Sequence, residues 1–409
     1  MNIVILGNQA RAVSNFWVPL IKELVGRGHR VTVCVPHTEE GEAAAGEAAA
    51  GESATGEKDE CCPVFAPDVH EEALSRAGVR LAHFRLDRKG LNPVRDLATL
   101  VDLYRFFATE KPDRVFASTI KPVIYGSIAS ALARCPARAH RHVMITGLGY
   151  MFEGGSPFKN ALMWVARALY RLAFSLSGHV YFQNRDDREL FGKLSILPRN
   201  TKVELIPGTG VDLQKFAEQP LSLGTTSERP RRFLLVGRLL EAKGIEEFCE
   251  AAALLQPAFT NVEFAVLGPE EFGPGAFAVA RFVRFGGTVR YLGSTADVRP
   301  YLAEAYAVVL PSWREGVPCS LMEAMSTGRA VIAADAPGSR EVVRDKVNGF
   351  LVPVRDSKAL AGAMRGLLLD PALCERFGRA GRRIVEEEFD AEKIARTIAN
   401  RLEYPSGVW

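Results

Sequence analysis

Short runs of continuously apolar residues, alternating with longer amphipathic stretches, constrain the fold of this chain more than any other feature. Asn2–Leu6, apolar from Ile3 onward, is such a run and ends at Gly7, and the run 31–35 follows a predicted helix over 16–25. Runs without polar alternation are typical of parallel strands buried on both faces. The opening therefore predicts a strand–helix–strand unit of a doubly wound sheet, although no GxGxxG follows the first strand.

The alternation of strands and helices occurs in two successive cycles. The first predicts strands near 79–84, 114–117, 142–145, 180–183 and 203–206, and the second begins at 233–236 and ends at 349–352. Two cycles in 409 residues predict an α/β protein of two Rossmann-like, doubly wound parallel-sheet domains that face each other across a cleft. We expect a first domain over 1–206, a second over 207–387, and a C-terminal helix within 388–409 that packs back on the first.

A low-complexity segment, 38–62, interrupts the first domain. Glycines recur every five residues within it, each followed by glutamate, and residues 38–60 hold eight acidic residues and one lysine. Such a composition predicts a flexible surface insertion without a catalytic role. The chain as a whole carries +3, so the rest carries +10. That excess fits a nucleotide diphosphate or an anionic membrane surface, and it fits scattered solubilising charge equally well.

Cysteine spacing and hydropathy set the expected compartment. The seven cysteines show no CxxC spacing, which indicates neither a zinc site nor a disulfide framework. The start, MNIVILGNQ, is typical of a strand and lacks the basic region of a signal peptide. No stretch of about 18 uncharged apolar residues occurs. We therefore expect a cytoplasmic protein with at most peripheral membrane contact, and no nucleic-acid partner.

The segment PSWREGVPCSLMEAMSTG, residues 311–328, is the most informative part of the sequence. It predicts a buried strand that ends at Leu310, a loop with Glu315 and Gly316, and a helix from near Ser320 that carries Glu323 in its first turn. A helix start presents free N–H groups and a positive dipole end, which suits a phosphate. The alternative is that Glu323 only caps the helix dipole while Glu315 is solvated.

A basic loop precedes this segment in the chain. Gly237 and Arg238 follow a predicted strand, and Lys243 comes five residues after Arg238. Glycine allows close approach of the backbone, and the two cations suit a diphosphate. Taken singly, Arg238 or Lys243 fits a surface salt bridge.

The C-terminal half resembles glycosyltransferase family 4, retaining enzymes of the GT-B fold. The resemblance rests on VGRLLEAKG, on the E-x7-E motif of Glu315 and Glu323, and on PGSREVVRDKVNGFLV. It implies that Glu315 faces the donor sugar, that Glu323 binds the ribose, and that Arg238 and Lys243 hold the diphosphate. Glu315, Arg238 and Lys243 are the implied catalytic residues, and no metal or cofactor is expected. The implied donor site comprises Gly237, Arg238, Lys243, Glu315, Gly316, Val317, Pro318, Ser320, Leu321 and Glu323.

The N-terminal half is similar to transferases that act on polyprenyl-diphosphate-linked sugars in capsule, O-antigen and glycan assembly. The similar segments are RKGLNP, STIKPVIYGSIA, ITGLGYMF and YFQNRDDRELF. Thr146 and Gly147 stand where many family members carry a His-containing motif, so a catalytic histidine is not expected. Thr209 replaces a frequent serine. The residues expected near the acceptor are Asn8, Asn15, Lys121, Thr146 and Gly147.

These features predict transfer of a hexose or N-acetylhexosamine, UDP-linked, to a lipid-linked or other glycan acceptor. A helix over 158–176 carries Phe158, Trp164, Tyr170 and Phe174 among basic residues, which suits the anionic inner leaflet of the membrane and suits packing on the sheet equally. The alternatives are a nucleotide-sugar epimerase, a glycogen-synthase-like polymerase, and a non-catalytic subunit that binds nucleotide sugars.

Overall fold

The structure is a computed structural model that describes residues 1–37, 69–87, 92–147, 157–221 and 230–404, without the side chains of 69 and 157–161. The predicted insertion 38–62 lies outside these residues. The elements described in the first half are β1 (Asn2–Leu6), α1 (Ala10–Phe16), α2 (Val18–Gly26), β2 (Arg30–Pro36), α3 (Val69–Arg76), β3 (Arg80–Phe84), α4 (Pro93–Glu110), β4 (Arg114–Ser118), α5 (Ile120–Leu132), β5 (Arg141–Ile145), α6 (Pro157–Ser175), β6 (His179–Phe182), α7 (Arg185–Lys193) and β7 (Lys202–Leu205).

The second half repeats the alternation and ends in three consecutive helices. Short 3-10 turns occupy Arg138–His140 in the first half, and Glu241–Lys243 and Val279–Phe285 in the second. The elements described here are β8 (Arg231–Val236), α8 (Ile245–Leu255), β9 (Val262–Leu267), β10 (Val289–Tyr291), α9 (Arg299–Glu304), β11 (Ala305–Leu310), α10 (Cys319–Ser326), β12 (Ala330–Ala334), α11 (Ser339–Val342), β13 (Gly349–Val352), α12 (Ser357–Leu369), α13 (Pro371–Glu388) and α14 (Ala391–Glu403).

Two parallel sheets form the framework, as the apolar runs predict. The first has the strand order β3-β2-β1-β4-β5-β6-β7 and the second β10-β9-β8-β11-β12-β13. Strands such as β11 and β12 are buried along their whole length, which explains their continuous apolar sequences. In each sheet the order reverses next to the first strand of its domain. Ligands of such sheets bind at the carboxyl ends of the strands beside this switch point, where the strand order reverses. In the second sheet the loops at that place are those after β8 and β11.

The predicted helix over 16–25 is wrong in its start. The structure has a separate helix, α1, before it, and the two helices are separated at Trp17, before α2 begins. Pro19 is in the first turn of α2 and has no N–H to continue a single helix across this point. Asn15 therefore lies on the exposed side of a helix.

Helix α6 packs on the first sheet by one face. Tyr170 and Phe174 are fully buried and touch Phe191 of α7, so these two predicted interfacial aromatics belong to the core. Trp164, Val165 and Leu172 remain exposed on the opposite face. The side chains of Phe158 and Lys159 lie outside the described residues.

The last helix crosses back to the first domain. Helix α14 packs against α2, and its apolar residues join the core cluster that surrounds β1 and β2. Arg27, which follows the last residue of α2, donates a hydrogen bond to Glu403 at 2.6 Å. Beside the crossing, Gly210 has a φ of +74°, and a β-carbon there would lie 2.7 Å from Cα of Ala391. The two chain segments that link the domains therefore lie against each other.

Candidate active site

The loop after β8 lies against the loop after β9. Gly268 has a φ of +154°, and a β-carbon on it would lie 1.8 Å from the carbonyl oxygen of Gly237. A β-carbon on Gly237 would meet only the stem of Lys243, at 3.7 Å. The close backbone approach expected at Gly237 is thus made possible by Gly268, which sequence reasoning missed.

Lys243 is positioned by contacts between the β8 and β11 loops. It ends the short turn Glu241–Lys243, and Gly244 follows in a left-handed conformation with a φ of 71°. A β-carbon on Gly244 would lie 2.3 Å from the carbonyl oxygen of Pro311. The N–H of Trp313 donates to the carbonyl of Ala242 at 2.9 Å. Backbone contacts therefore join the two loops at the switch point of the second sheet.

These contacts bring Lys243 and Glu315 together. Nζ of Lys243 donates to Oε1 of Glu315 at 2.5 Å, and the side chains are 21% and 13% exposed. The N–H of Glu315 donates to the carbonyl of Pro337, at 2.9 Å. A partly buried carboxylate is thus held beside an ammonium group at the edge of the sheet, an arrangement suited to a polar ligand that carries negative charge.

Helix α10 begins beside this pair. Its N-cap, Pro318, provides no side-chain hydrogen bond, so N–H groups of the first turn are free of a side-chain cap. The helix starts at Cys319, and Glu323 is not in its first turn, as the sequence predicted, but in the second. Helical side chains point back toward the N-terminus, so Glu323 still projects toward the start of the helix.

Burial controls the protonation of two groups on α10. It raises the pKa of Glu323 to about 7, with Lys215 opposing the shift. It raises the pKa of the Cys319 thiol to about 12, so this thiol is neutral at ordinary pH. Cys319 contacts the hydroxyl of Thr209 at 3.9 Å. Near neutrality Glu323 can therefore exist as acid or carboxylate, whereas Cys319 is not a thiolate nucleophile.

The remaining predicted donor residues differ in accessibility. Val317 and Leu321 are buried, and the N–H of Leu321 already donates to the carbonyl of Pro318 at 3.2 Å. Arg238 has a side chain that is 59% exposed and pairs with Glu271 at 3.3 Å. The structure thus brings Lys243, Glu315 and the start of α10 together, and it leaves Arg238 at the rim of the cleft.

Three of the five predicted acceptor residues, Lys121, Thr146 and Gly147, lie in two different environments. A β-carbon on Gly316 would lie 2.1 Å from the carbonyl oxygen of Thr146, and a β-carbon on Gly147 would lie 3.3 Å from the backbone nitrogen of Gly316. Lys121 is bound to Asp96 at 2.7 Å and to the carbonyl of Asp87 at 2.6 Å, within the first domain. Thr146 and Gly147 therefore touch the donor loop itself, whereas Lys121 is held in an ion pair that joins α5 to α4.

Sequence reasoning missed a second contact between the domains, at the start of α7. Asn184 caps this helix by accepting from the N–H of Asp187 at 2.7 Å, and its Nδ2 donates to the carbonyl of Gly316 at 2.9 Å. Asp187 forms an ion pair with Arg314. The Asn-x-x-Asp pattern is a local signal for a helix N-cap, so the cap could have been predicted from the sequence. The partners of these residues across the cleft could not.

The fold and the paired loops define the GT-B class of glycosyltransferases. Solved structures of that architecture match nearly the whole chain. HepE of Anabaena, solved with UDP, covers 98% of this chain with a TM-score of 0.72 at 20% identity, and all of that protein is matched. Sucrose-phosphate synthase from Thermosynechococcus elongatus covers 98% of each chain with a TM-score of 0.74 at 19% identity. At these identities the likeness shows the fold.

Family models match both halves of the chain. The model "Glycosyl transferase 4-like domain" matches residues 12–209, and the model "Glycosyl transferases group 1" matches residues 230–370. The chain belongs to glycosyltransferase family 4, as its motifs predicted.

Characterised relatives span most of the chain. It is 26% identical over 328 residues to the N,N'-diacetylbacillosaminyl-diphospho-undecaprenol alpha-1,3-N-acetylgalactosaminyltransferase of Campylobacter jejuni, which covers 77% of this chain and 84% of that protein. It is 28% identical over 287 residues to the UDP-Gal:alpha-D-GlcNAc-diphosphoundecaprenol alpha-1,3-galactosyltransferase of Escherichia coli, with 68% and 71% covered. None of the helices in the described ranges combines the length and apolarity needed to cross a bilayer.

Proposed function

We propose that this protein is a retaining glycosyltransferase that moves a hexose or N-acetylhexosamine from a UDP-linked donor to a polyprenyl-diphosphate-linked glycan in cell-surface polysaccharide synthesis. The observation that carries the proposal is the contact of Lys243 with Glu315, 2.5 Å long, beside the uncapped start of α10. The names of the two relatives support the choice of donor and acceptor, because one uses UDP-Gal and both act on diphospho-undecaprenol sugars.

In this proposal the protein catalyses transfer mainly by stabilising the leaving diphosphate. Lys243, Arg238 and the N–H groups at the start of α10 stabilise the charge that develops when the bond from the anomeric carbon to the phosphate oxygen breaks. Glu315 orients the donor sugar and Glu323 the ribose. The acceptor oxygen bonds to the anomeric carbon on the face that the diphosphate leaves, and its proton passes to the departing phosphate oxygen. Neither a metal nor a covalent nucleophile is assigned.

The membrane is the proposed location of the acceptor. The basic balance outside 38–60 and the exposed Trp164, Val165 and Leu172 of α6 support peripheral docking on the anionic cytoplasmic leaflet. Arg167 and Arg171, four residues apart, donate to the carbonyls of Leu194 and Ser195 that follow α7. The apolar residues of α6 are therefore the stronger candidates for membrane contact.

The first test is a thermal-shift panel of nucleotide sugars, since a bound donor stabilises the folded state by about 2.7 kcal/mol at a hundred times its Kd. The stabilising donor is then incubated with polyprenyl-diphosphate glycans, and the product is analysed by NMR. We expect transfer with the anomeric configuration retained. Inversion would refute retention. A free epimerised nucleotide sugar formed without acceptor would indicate an epimerase, and binding without turnover would indicate a non-catalytic subunit.

A further inference from the structure

The ion pair of Asp187 and Arg314 crosses the domain boundary at the donor loop. Asp187 follows β6 in the first domain, and Arg314 directly precedes Glu315 in the second. The Asp187 side chain is only 1% exposed and that of Arg314 is 16% exposed. Buried ion pairs are seldom a net source of stability, because removing two charges from water offsets their attraction. A role in geometry therefore explains this pair better than a role in stability.

Asn184 adds a second link from the same helix start. Its amide Nδ2 donates to the carbonyl of Gly316 at 2.9 Å and to Oδ2 of Asp187 at 3.0 Å. The Asn184 side chain is fully buried, so its orientation is set by these partners. Arg314 and Gly316 flank Glu315, and both are thus held by the first domain.

The loop has no room to move away from this contact. A β-carbon on Gly316 would lie 2.7 Å from Oε1 of Gln183. A β-carbon on Gly338, in the second domain, would lie 2.3 Å from the carbonyl oxygen of Gly316. The peptide that carries the Glu315 side chain is therefore enclosed between the two domains, with Lys243 facing its carboxylate.

We infer that Asp187 and Asn184 are positioning residues, which fix the Glu315 loop through Arg314 and the carbonyl of Gly316. The position of the Glu315 carboxylate in the donor site is then set by contacts from the acceptor domain. This inference rests on the proposed function, in which Glu315 faces the sugar. Misplacement of a reacting group by about 1 Å can cost on the order of a hundredfold in rate. Loosening the pair should therefore affect turnover more than binding of the nucleotide, whose predicted contacts are Arg238, Lys243 and α10.

The test compares Asp187→Asn with Asp186→Asn. Asp186 forms a neighbouring ion pair across the same boundary with Arg340, 3.0 Å long, but both side chains are more than 30% exposed. We expect Asp187→Asn to lower kcat by about tenfold or more while KM for the donor and the Kd of UDP stay within about threefold. Hydrogen exchange of the peptide 311–322 should quicken in Asp187→Asn and stay as in the parent in Asp186→Asn.

A double variant separates positioning from an uncompensated charge. Asp187→Asn with Arg314→Met removes both charges, so the thermal stability that Asp187→Asn loses should return while kcat stays low. If the double variant regains the kcat of the parent, or if Asp187→Asn changes neither kcat nor loop exchange, the inference is overturned. A parent that transfers no sugar while Asp187→Asn still quickens loop exchange would instead refute the proposed function and leave the positioning contact standing.

Discussion

Lys243 and Glu315 are 72 residues apart in the chain, yet Nζ of the lysine lies 2.5 Å from Oε1 of the glutamate. The contact exists because the loops that follow β8 and β11 meet at the switch point of the second sheet. Each side chain is thereby the charge partner of the other.

Replacing Lys243 by alanine should lower kcat roughly 10- to 150-fold, since a hydrogen bond to a charged group contributes about 1.5–3 kcal/mol. Single-turnover kinetics at saturating donor measure the loss directly. The exposed Lys358 is the matched control, and Lys358→Ala should behave as the parent does. Parent-like turnover in a folded Lys243→Ala variant would remove Lys243 from the site.

Glu323 should make the stability of the protein depend on pH. Burial raises its pKa from 4.5 to about 7, so between these values the folded protein holds a proton that the unfolded chain has released. Its contribution to the free energy of unfolding should therefore decline as pH rises from 4.5 to 7. Urea unfolding across this range measures the slope, and Glu323→Gln should lack this part of it. Identical slopes for parent and variant would contradict the buried-acid assignment.

Adding a methyl group at Gly316 should disturb the domain contact. A β-carbon there would lie 2.1 Å from the carbonyl oxygen of Thr146, which is backbone and has little freedom to move. We expect Gly316→Ala to lower the free energy of unfolding by about 1–3 kcal/mol and to reduce transfer. The control is Gly362→Ala on helix α12, where nothing lies within 4 Å and alanine should stabilise by roughly 0.5–1 kcal/mol. Equal thermal stability of the two variants would show that the domains do not approach this closely in solution.

Membrane docking should depend on the exposed apolar face of α6. The double variant Trp164→Ser and Leu172→Ser should sediment less with anionic vesicles than the parent, because it removes apolar area available for insertion. Reversing the charge at Arg167 and Arg171 is a poorer test of membrane binding, since both side chains also donate to backbone carbonyls. Leu254→Ser, at a side chain 55% exposed on α8, is the control. Parent-like sedimentation of the α6 variant would rule out this face.

Deleting residues 38–60 should leave transfer within a small factor of the parent. The segment repeats glycine, glutamate and alanine and carries a net charge of −7, a composition that cannot build a core. The assay is transfer at saturating donor, with thermal stability measured in parallel. Loss of folding or activity would assign the segment a structural or catalytic role that its composition does not indicate.

Local pattern was sufficient for most of the fold. Asn2–Leu6 and Gly349–Val352 were predicted to the residue, because buried parallel strands require uninterrupted apolar runs. The errors came where a local rule competed with the pattern. Pro19 separates α2 from a helix α1 that the pattern did not predict, and α10 begins one residue before Ser320, which leaves Glu323 outside its first turn.

The sequence by itself determined the α/β class, the two domains' strand runs and the family, since these depend on residues near one another in the chain. Only the tertiary structure decided which helix faces are buried and which residues meet across the domain boundary. It buried Tyr170 and Phe174, joined Asp187 to Arg314 across 127 residues, and set Gly316 against Thr146. Such contacts depend on how two separately folded sheets meet, and no local periodicity encodes that distance. The environment that raises the pKa of Glu323 arises in the same way, from packing around the helix rather than from the residues beside it.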